Sequence, residues 1–235
     1  MANNFRTTEF KSPKVYGVIA MGVLGALFVT ALLISISCLG MVIAPDTALD
    51  LANGGSVNVG LLIASLLSLL QIGLRVLCAV IFLMWVHRTF SNLSYLGARN
   101  LEFTPGWAVG WWFIPFANLL KPYQAVRELY ASSNDIGSPD SIVGTELVTG
   151  WWLCFIIGGI VLRISDGLVG KGDFDVSNYF PVVFLVGQIF FGAAAVFGIL
   201  IVRNVDRWQA QAASAVESAA NFTPPPPPTF ESQQA

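Results

Sequence analysis

Arg75 ends a row of polar side chains inside an otherwise apolar run, and such a row could bind an anionic group. Ser65, Ser68 and Gln71 precede it at helical spacing, so a helix would align all four side chains as one stripe. At about 1.5 Å per residue, Arg75 lies roughly 16 Å from Val86, which is near the middle of a bilayer. An arginine at that depth costs about 2.5–3.5 kcal/mol, so we expect it to face the interior of a helix bundle.

Arg75 needs a partner, and Gln188 matches its depth best. Gln188 lies about 14 Å from the outer end of its own apolar run, and its amide can donate and accept hydrogen bonds but cannot neutralise a charge. Asp166 is the acidic residue nearest to a span interior, but it lies closer to the outer end and beside an easier partner, Arg163. The sequence leaves open a structural arginine held by Gln71 and Gln188, a site for an anionic ligand or lipid headgroup, and a role in voltage or proton coupling.

A second candidate site is a stretch of aromatic residues and prolines within residues 104–130. Thr104 and Pro105 match the N-cap and first position of a helix. Pro115 interrupts the hydrogen-bond ladder of that helix. The candidate binding residues of this stretch are Trp107, Trp111, Trp112, Pro115, Asn118, Lys121 and Tyr123.

Two arrangements of residues 106–120 are compatible with the sequence. In the first, the tryptophans anchor the segment at the headgroup level of the membrane. In the second, the segment dips into the membrane and returns, with a break around Pro115. Broken backbone at that depth must be buried in protein or line a wet cavity, so this arrangement implies a pocket. In both, an amphipathic helix begins at Pro122, with Val126 and Tyr130 on its apolar face.

No catalytic or metal-binding arrangement is recognisable in the sequence. His87 is the single histidine, and Cys38, Cys78 and Cys154 each lie within an apolar run, where a thiol behaves as a small buried hydrophobe. There is no acid pair within a span, no Gly-x-Ser-x-Gly elbow and no phosphate-binding Gly-Lys-Ser/Thr loop. We therefore expect a protein that is not an enzyme and uses no cofactor or metal. A net charge of −2 gives no reason to expect a nucleic-acid partner.

The elements that position these residues are membrane helices. The chain has 55% hydrophobic and 11% charged residues, whereas soluble domains have about 25% charged residues. Four apolar runs each exceed the roughly 20 residues needed to cross a bilayer. Small residues such as Gly22 and Gly198 would let helices approach closely, either within one chain or in a homo-oligomer. The sequence predicts an all-α membrane protein with four spans, at about 15–43, 57–86, 147–169 and 179–202.

The positions of lysine and arginine predict the orientation of the spans. Basic residues precede the first span, occur throughout residues 87–146 and follow the fourth span, whereas the two other loops contain only Lys171. Residues 1–14, 87–146 and 208–235 are therefore expected on the cytoplasmic side, with 15–207 as the transmembrane domain. A run of five prolines predicts that the last of these segments is a disordered tail.

The central residues resemble a known family. The stretch Phe103-Thr-Pro-Gly-Trp-Ala-Val-Gly-Trp-Trp-Phe-Ile-Pro-Phe-Ala-Asn-Leu-Leu-Lys-Pro-Tyr-Gln-Ala-Val-Arg-Glu-Leu129 is similar to the central motif of bacterial membrane proteins grouped as domain of unknown function 4328. Leu96-Gly-Ala-Arg-Asn-Leu101 and Trp151-Trp152 are also similar, and the resemblance covers residues 57–207. It implies a multi-spanning protein of the bacterial cytoplasmic membrane. It implies no activity, substrate or catalytic residue.

Two functions of different classes follow as hypotheses. The first is a non-enzymatic membrane protein that binds or organises a partner protein or lipid through residues 104–130. The second is a small transporter or channel component that uses the polar stripe around Arg75 and a re-entrant central segment. The partners expected in either case are the lipid bilayer and either another protein or a second copy of the chain.

Overall fold

The structure is a computed structural model that describes residues 9–43, 48–51, 55–134, 136, 144–169 and 176–221. Two short antiparallel strands, β1 (Ala48–Leu51) and β2 (Gly55–Asn58), form a hairpin between the first two helices. The helices in this part of the chain are α1 (Lys14–Ile43), α2 (Val59–Tyr95), α3 (Pro105–Gly110), α4 (Lys121–Asn134), α5 (Glu146–Val169) and α6 (Val176–Ala220).

Four of these helices, α1, α2, α5 and α6, are long and apolar enough to cross a membrane. A helix satisfies its own backbone N–H and C=O groups, which is why such apolar runs can lie in lipid. The prediction of an all-α membrane protein with four spans is therefore confirmed, and the hairpin is a small addition in the first loop. Helix α2 begins at Val59 and α6 at Val176, close to the predicted starts at 57 and 179.

The four long helices form an open arc. Helix α6 packs along both α1 and α5, and α1 also packs along α2. Within the described ranges, α2 and α5 do not pack along each other. We call the space between them the α2–α5 seam. Helices α3 and α4 fill this seam at the end of the arc that carries Arg88, Lys121 and Arg203, which we call the basic end.

Small residues allow close helix approach at some of the predicted positions. A Cβ atom on Gly198 would lie 3.2 Å from a methyl carbon of Leu24, so this glycine of α6 does serve packing. Gly22 has no atom within 4 Å of an added Cβ, because it lies on the exposed face of α1. Gly22 therefore does not serve packing between the described helices, and a contact with a second copy of the chain stays a prediction. Gly17 of α1 does lie close to α6, because a Cβ atom there would overlap the carboxylate of Asp206.

The main apolar core lies at the basic end. Trp85, Phe90 and Leu93 of α2 are fully buried there, together with Val126 and Leu129 of α4. Helix α4 begins at Lys121, and the burial of these side chains confirms the amphipathic helix predicted from Pro122. This core holds α4 against α2, α5 and α6, so the basic end is the most tightly packed part of the arc.

Helix α6 continues to Ala220, which corrects the predicted start of the tail at 208. The side chain of Gln209 is fully buried and donates hydrogen bonds to the backbone oxygen of Thr89 (3.0 Å) and to Ser133 Oγ (3.1 Å). Asn92 Nδ2 donates to Gln209 Oε1 at 3.3 Å. A polar residue that would stay solvated in a tail is thus used to join α6 to α2 and α4. Residues 222–235, including the proline run, lie outside the described part of the chain.

Candidate functional site

Three hydrogen bonds order residues 104–130 along α5. Arg127 Nε donates to Thr145 Oγ1 at 3.5 Å, and Tyr123 Oη lies 3.0 Å from Thr149 Oγ1. Trp152 Nε1 donates to the backbone oxygen of Leu119 at 3.1 Å. Taken in order from the basic end, these bonds join residues further along α5 to residues earlier in the chain. The partners are Arg127 and Tyr123 in α4, and then Leu119 in the turn before α4. At about 1.5 Å per residue, the turn reaches about 9 Å along α5 from its first residue.

This geometry makes residues 104–120 a broken hairpin with its apex directed away from the basic end. Helix α3 begins as predicted, with Thr104 Oγ1 accepting the N–H of Trp107 at 3.4 Å and Pro105 in the first turn. Two 3₁₀ turns then follow around Pro115, at Trp111–Phe113 and Ala117–Leu119. The break predicted at Pro115 is present.

The apex itself is a strained turn that exposes apolar side chains. Phe116 has φ 63° and ψ −45°, and Ala117 N donates to the oxygen of Pro115 at 2.8 Å. This is a γ-turn of the rare form with positive φ, which is unfavourable for a bulky side chain. Phe116 is 88% exposed and Phe113 72% exposed. The backbone of Phe116 is therefore strained at a point where its phenyl ring, like that of Phe113, is exposed at the apex.

The two ends of the hairpin are held together. Lys121 Nζ lies 3.7 Å from the Glu102 carboxylate and 5.3 Å from the centre of the Phe103 ring. The carboxylate of Glu128 accepts the backbone N–H groups of Glu102 and Phe103. Burial raises the pKa of Glu128 above its ordinary value, while these two hydrogen bonds oppose the shift. The ends of the hairpin are thus fixed by α4, so the position of the apex is determined by the fold.

The three tryptophans of the segment face two different environments. The Trp107 and Trp111 rings pack at a tilt of 34° with their centres 4.9 Å apart, and Lys121 Nζ lies 5.9 Å from the Trp111 ring. Trp112 turns towards the arc, 6.1 Å from the Phe82 ring and 5.9 Å from the Trp152 ring. Its indole Nε1 is buried and has no hydrogen-bond partner among the described residues. A buried donor without a partner is costly, so Trp112 is a candidate ligand-binding group.

Arg75 is connected to both predicted glutamines. Its guanidinium donates to Gln71 Oε1 at 3.0 Å, and Gln71 Nε2 donates to Gln188 Oε1 at 3.1 Å. Both glutamine side chains are buried. The Arg75 Cζ atom lies 4.3 Å from the centre of the Phe191 ring, which adds a cation–π contact. The arginine is therefore oriented from two sides, by α2 itself and by α6.

A cavity of about 350 Å³ lies beside Arg75 in the α2–α5 seam. Arg75 and Gln71 form its polar wall, while Trp112 contributes a wall from the hairpin. The remaining lining is largely apolar and comes from all four long helices, with Leu24, Ala79, Phe155 and Phe191 among the lining residues. Along α2, Phe82 lies about 10 Å from Arg75, so the hairpin stops about two helical turns short of the arginine. The cavity occupies this interval.

The predicted binding residues therefore fall into separate groups. Arg75, Gln71 and Trp112 line the cavity, and Gln188 supports Gln71 from behind. The others lie elsewhere: Trp107, Trp111 and Lys121 form a surface cluster, Tyr123 contacts α5, and Pro115 and Asn118 lie exposed in the apex turn.

Three contributors to these sites were not predicted. Phe191 follows Gln188 by one helical turn, and that spacing is a signal that could have placed it near Arg75. Trp152 supports the apex through a backbone oxygen, and no sequence pattern indicates such a bond. Glu128 holds the base of the hairpin, since its carboxylate accepts backbone N–H groups before α3 that the fold brings next to α4.

The chemistry that these groups offer is binding. In the described part of the chain, no group of three or more His, Cys, Asp and Glu side chains is placed to hold a metal ion. The side chain of Asp166, which was considered above as a partner of Arg75, is not among those that the structure describes. The described acids and Arg75 do not form an ion pair, so a positive charge faces an apolar cavity without an anionic neighbour there.

Residues 50–220 match the family described as Domain of unknown function (DUF4328). The match includes residues 104–120, the three long helices α2, α5 and α6, and the part of α6 beyond 208, whereas α1 lies before it. Searches of curated proteins and of solved structures found no match to this chain.

Proposed function

We propose that this chain, which belongs to the family of domain of unknown function 4328, is a non-enzymatic multi-pass membrane protein that binds and organises lipid through residues 104–130. The observation that carries the proposal is the apex of the hairpin. Phe116 is held outward by a strained turn, Phe113 is exposed in the 3₁₀ turn before it, and Leu120 is 63% exposed. A fold that only needed an anchor would not require a strained aromatic turn.

The depth and charge of the hairpin favour lipid over a partner protein. Its apex reaches about 9 Å along α5, and apolar faces of interfacial helices enter the headgroup and acyl boundary by about 5–10 Å. Trp107 is half exposed near the base, where indole rings suit the membrane interface. Lys121 lies next to the same surface, and a lysine near an anionic lipid surface contributes about 1 kcal/mol of attraction. Together these groups match an acyl chain and an anionic headgroup.

The proposal includes an orientation. Arg88, Lys121 and Arg203 lie at the basic end with the base of the hairpin, and positively charged loops remain on the cytoplasmic side. We therefore place this end, and both termini, in the cytoplasm, with the protein in the cell membrane of a bacterium. In that orientation the hairpin acts on the inner leaflet, which is rich in anionic lipid.

A small transporter or channel component is a second candidate, favoured by the cavity beside Arg75. A hydrated pathway needs polar groups along its length. The cavity has a polar wall at Arg75 and Gln71 but a lining that is otherwise mostly apolar. That lining supports occupation by an apolar molecule better than conduction of an ion. Flux of a fluorescent anion into proteoliposomes, present with the chain and lost in Arg75→Gln, would favour this candidate over lipid binding.

The lipid proposal is tested by native mass spectrometry of the full chain after delipidation in a mild detergent with added phosphatidylglycerol. Two variants are compared: Phe113→Ala with Phe116→Ala at the apex, and Leu69→Ala with Leu70→Ala on the exposed face of α2. Burying one phenyl ring is worth about 1.5–3 kcal/mol, so the apex variant should bind the lipid at least about tenfold more weakly. The α2 variant should retain it.

Two outcomes count against the proposal. The first is equal retention of phosphatidylglycerol by the apex variant and the unmodified chain. The second is loss of a co-purifying protein from the apex variant while its lipid is retained, which would assign the apex to a protein partner instead.

A further inference from the structure

We propose that the cavity in the α2–α5 seam binds a fatty acid, with its carboxylate on Arg75 and its alkyl chain along the apolar lining. This is a different site from the apex of the hairpin, and it uses different residues apart from the shared wall at Trp112. The inference does not depend on the proposed function of the apex. It rests on the charge, the size and the access route of the cavity.

The charge of Arg75 is the first argument. A guanidinium carries five N–H donors, and in the described structure one of its hydrogen bonds is formed, to Gln71. The ring of Phe191 covers one face of the group, but a cation–π contact does not supply a negative charge. An arginine near the middle of a bilayer is paired in most membrane proteins. A ligand carboxylate would provide the missing anion and could accept two parallel N–H bonds from the planar guanidinium.

The glutamines prepare this arginine for an acceptor. Gln71 Nε2 donates to Gln188, so the Gln71 oxygen is left to accept from Arg75. Both amides are buried, and the chain of two bonds fixes the guanidinium from the side of α6. A guanidinium already held in place loses less conformational entropy when an anion binds.

The size and lining of the cavity define the rest of the ligand. Its volume of about 350 Å³ is at the lower end of the roughly 300–1,000 Å³ found for small-molecule sites. That space suits one alkyl chain better than a phospholipid with two chains. Leu24, Phe155 and Ala79 supply apolar contacts, so a second charge on the ligand would find no partner among these side chains.

The arrangement of the helices supplies an entry route. Helix α2 is the least buried of the four candidate spans, with 11% of its apolar window buried. In the described structure α2 and α5 meet through the Phe82 and Trp151 rings, 5.5 Å apart by their centres, but do not pack along each other. The proposed route therefore runs from the bilayer through the seam between these helices. A fatty acid dissolved in the membrane could therefore enter sideways with its chain already in lipid. A water-soluble anion would have to cross the apolar region first.

The test measures binding of a brominated stearic acid to the purified full chain in non-ionic detergent, by quenching of tryptophan fluorescence. Trp112 lines the cavity, so a bromine atom on the bound chain would lie near an indole ring. Arg75→Gln removes the charge. Arg163→Gln is the matched control, since it removes an exposed arginine of α5 that does not line this cavity. Ala79→Phe is a second variant that fills the cavity and leaves the charge in place.

We expect saturable quenching with one site in the unmodified chain and in Arg163→Gln. Arg75→Gln should weaken binding by about tenfold or more, because charge-assisted hydrogen bonds are lost. Ala79→Phe should also weaken binding of the acid. The brominated methyl ester has no carboxylate, so the unmodified chain should bind it as weakly as Arg75→Gln binds the acid. The proposal is overturned if Arg75→Gln binds the acid as the unmodified chain does, if the ester binds equally well, or if hexadecyl phosphate competes more strongly than palmitate.

Discussion

The hydrogen bond from Trp152 to the apex of the hairpin gives the sharpest test of the arrangement. Pro115 and the 3₁₀ turn after it leave backbone groups of the apex outside any α-helix. The oxygen of Leu119 accepts Trp152 Nε1 at 3.1 Å. The perturbation is Trp152→Phe, which keeps an aromatic ring against Trp112 but removes the donor.

The expected cost follows from what the oxygen would face afterwards. A hydrogen bond contributes about 0.5–1.5 kcal/mol net, but a buried acceptor left without a donor costs about 1–3 kcal/mol. The bond is partly buried, so the expected cost lies where the two ranges overlap, at about 1–1.5 kcal/mol. Trp151 provides the control, because it is equally buried (7% against 6% exposed) and also contacts Trp112. The structure gives Trp151 no bond to the apex.

The assay is thermal unfolding of both variants in the same detergent. Each kcal/mol lowers the midpoint by about 2–4 °C for a chain of 150–250 residues. Trp152→Phe should therefore unfold several degrees below Trp151→Phe, and protease cleavage near Phe116 should increase in the first variant alone. Equal midpoints in the two variants, with equal cleavage, would refute the contact between α5 and the hairpin and with it the depth assigned to the apex.

Three further predictions concern strain, the end of α6 and pH. Phe116→Gly should have a higher unfolding midpoint than Phe116→Ala, since glycine alone accepts φ 63° without a penalty of about 1–2 kcal/mol; equal midpoints would contradict the strained turn. Gln209→Ala should lower the unfolding free energy by about 1–3 kcal/mol, because the partners of its amide lose their bonds, whereas exposed Gln211→Ala should change it by less than about 0.5 kcal/mol. Burial raises the pKa of Glu128 above 4.5, so its contribution to stability is present below that pH and is lost as the pH rises through the raised pKa. In a pH series of unfolding midpoints Glu128→Gln should flatten this decrease, and an unchanged slope would exclude the contribution.

The sequence predicted the parts of the fold that local physics decides. The spans follow from uninterrupted apolar runs, and the cap at Thr104 follows from its side-chain chemistry and the proline after it. The link from Arg75 through Gln71 to Gln188 was among the alternatives, because depth along two helices can be counted from sequence. Each of these features depends either on one helix alone or on comparing the depths of residues in two helices.

The remaining features depend on how elements meet, which the sequence does not encode locally. Gln209 is polar and follows a span, so composition placed it in a tail, whereas its amide is buried by partners more than 70 positions away in the chain. The bond from Trp152 to a backbone oxygen requires the hairpin to lie against α5. The open seam could not be predicted either, because apolar spans are compatible with both closed and open arrangements.

The spacing of the three tryptophans explains how one segment serves two surfaces. Trp107 and Trp111 are four residues apart and share a helical face, where their rings pack together at a tilt near Lys121. Trp112 is the next residue of the 3₁₀ turn, about 120° around the axis, and this rotation turns its ring into the arc beside Phe82.

The same segment therefore exposes apolar rings on one side and closes the basic end of the Arg75 cavity with the other. In the proposed functions, this segment stabilises the basic end of the arc, and the deeper part of the α2–α5 seam admits a ligand from lipid. An arginine at that depth costs about 2.5–3.5 kcal/mol, and Gln71 and Phe191 offset part of this without supplying a negative charge. A closed bundle could have lowered that cost by packing the helix against its neighbours, so the proposed binding of a fatty acid depends on the open seam.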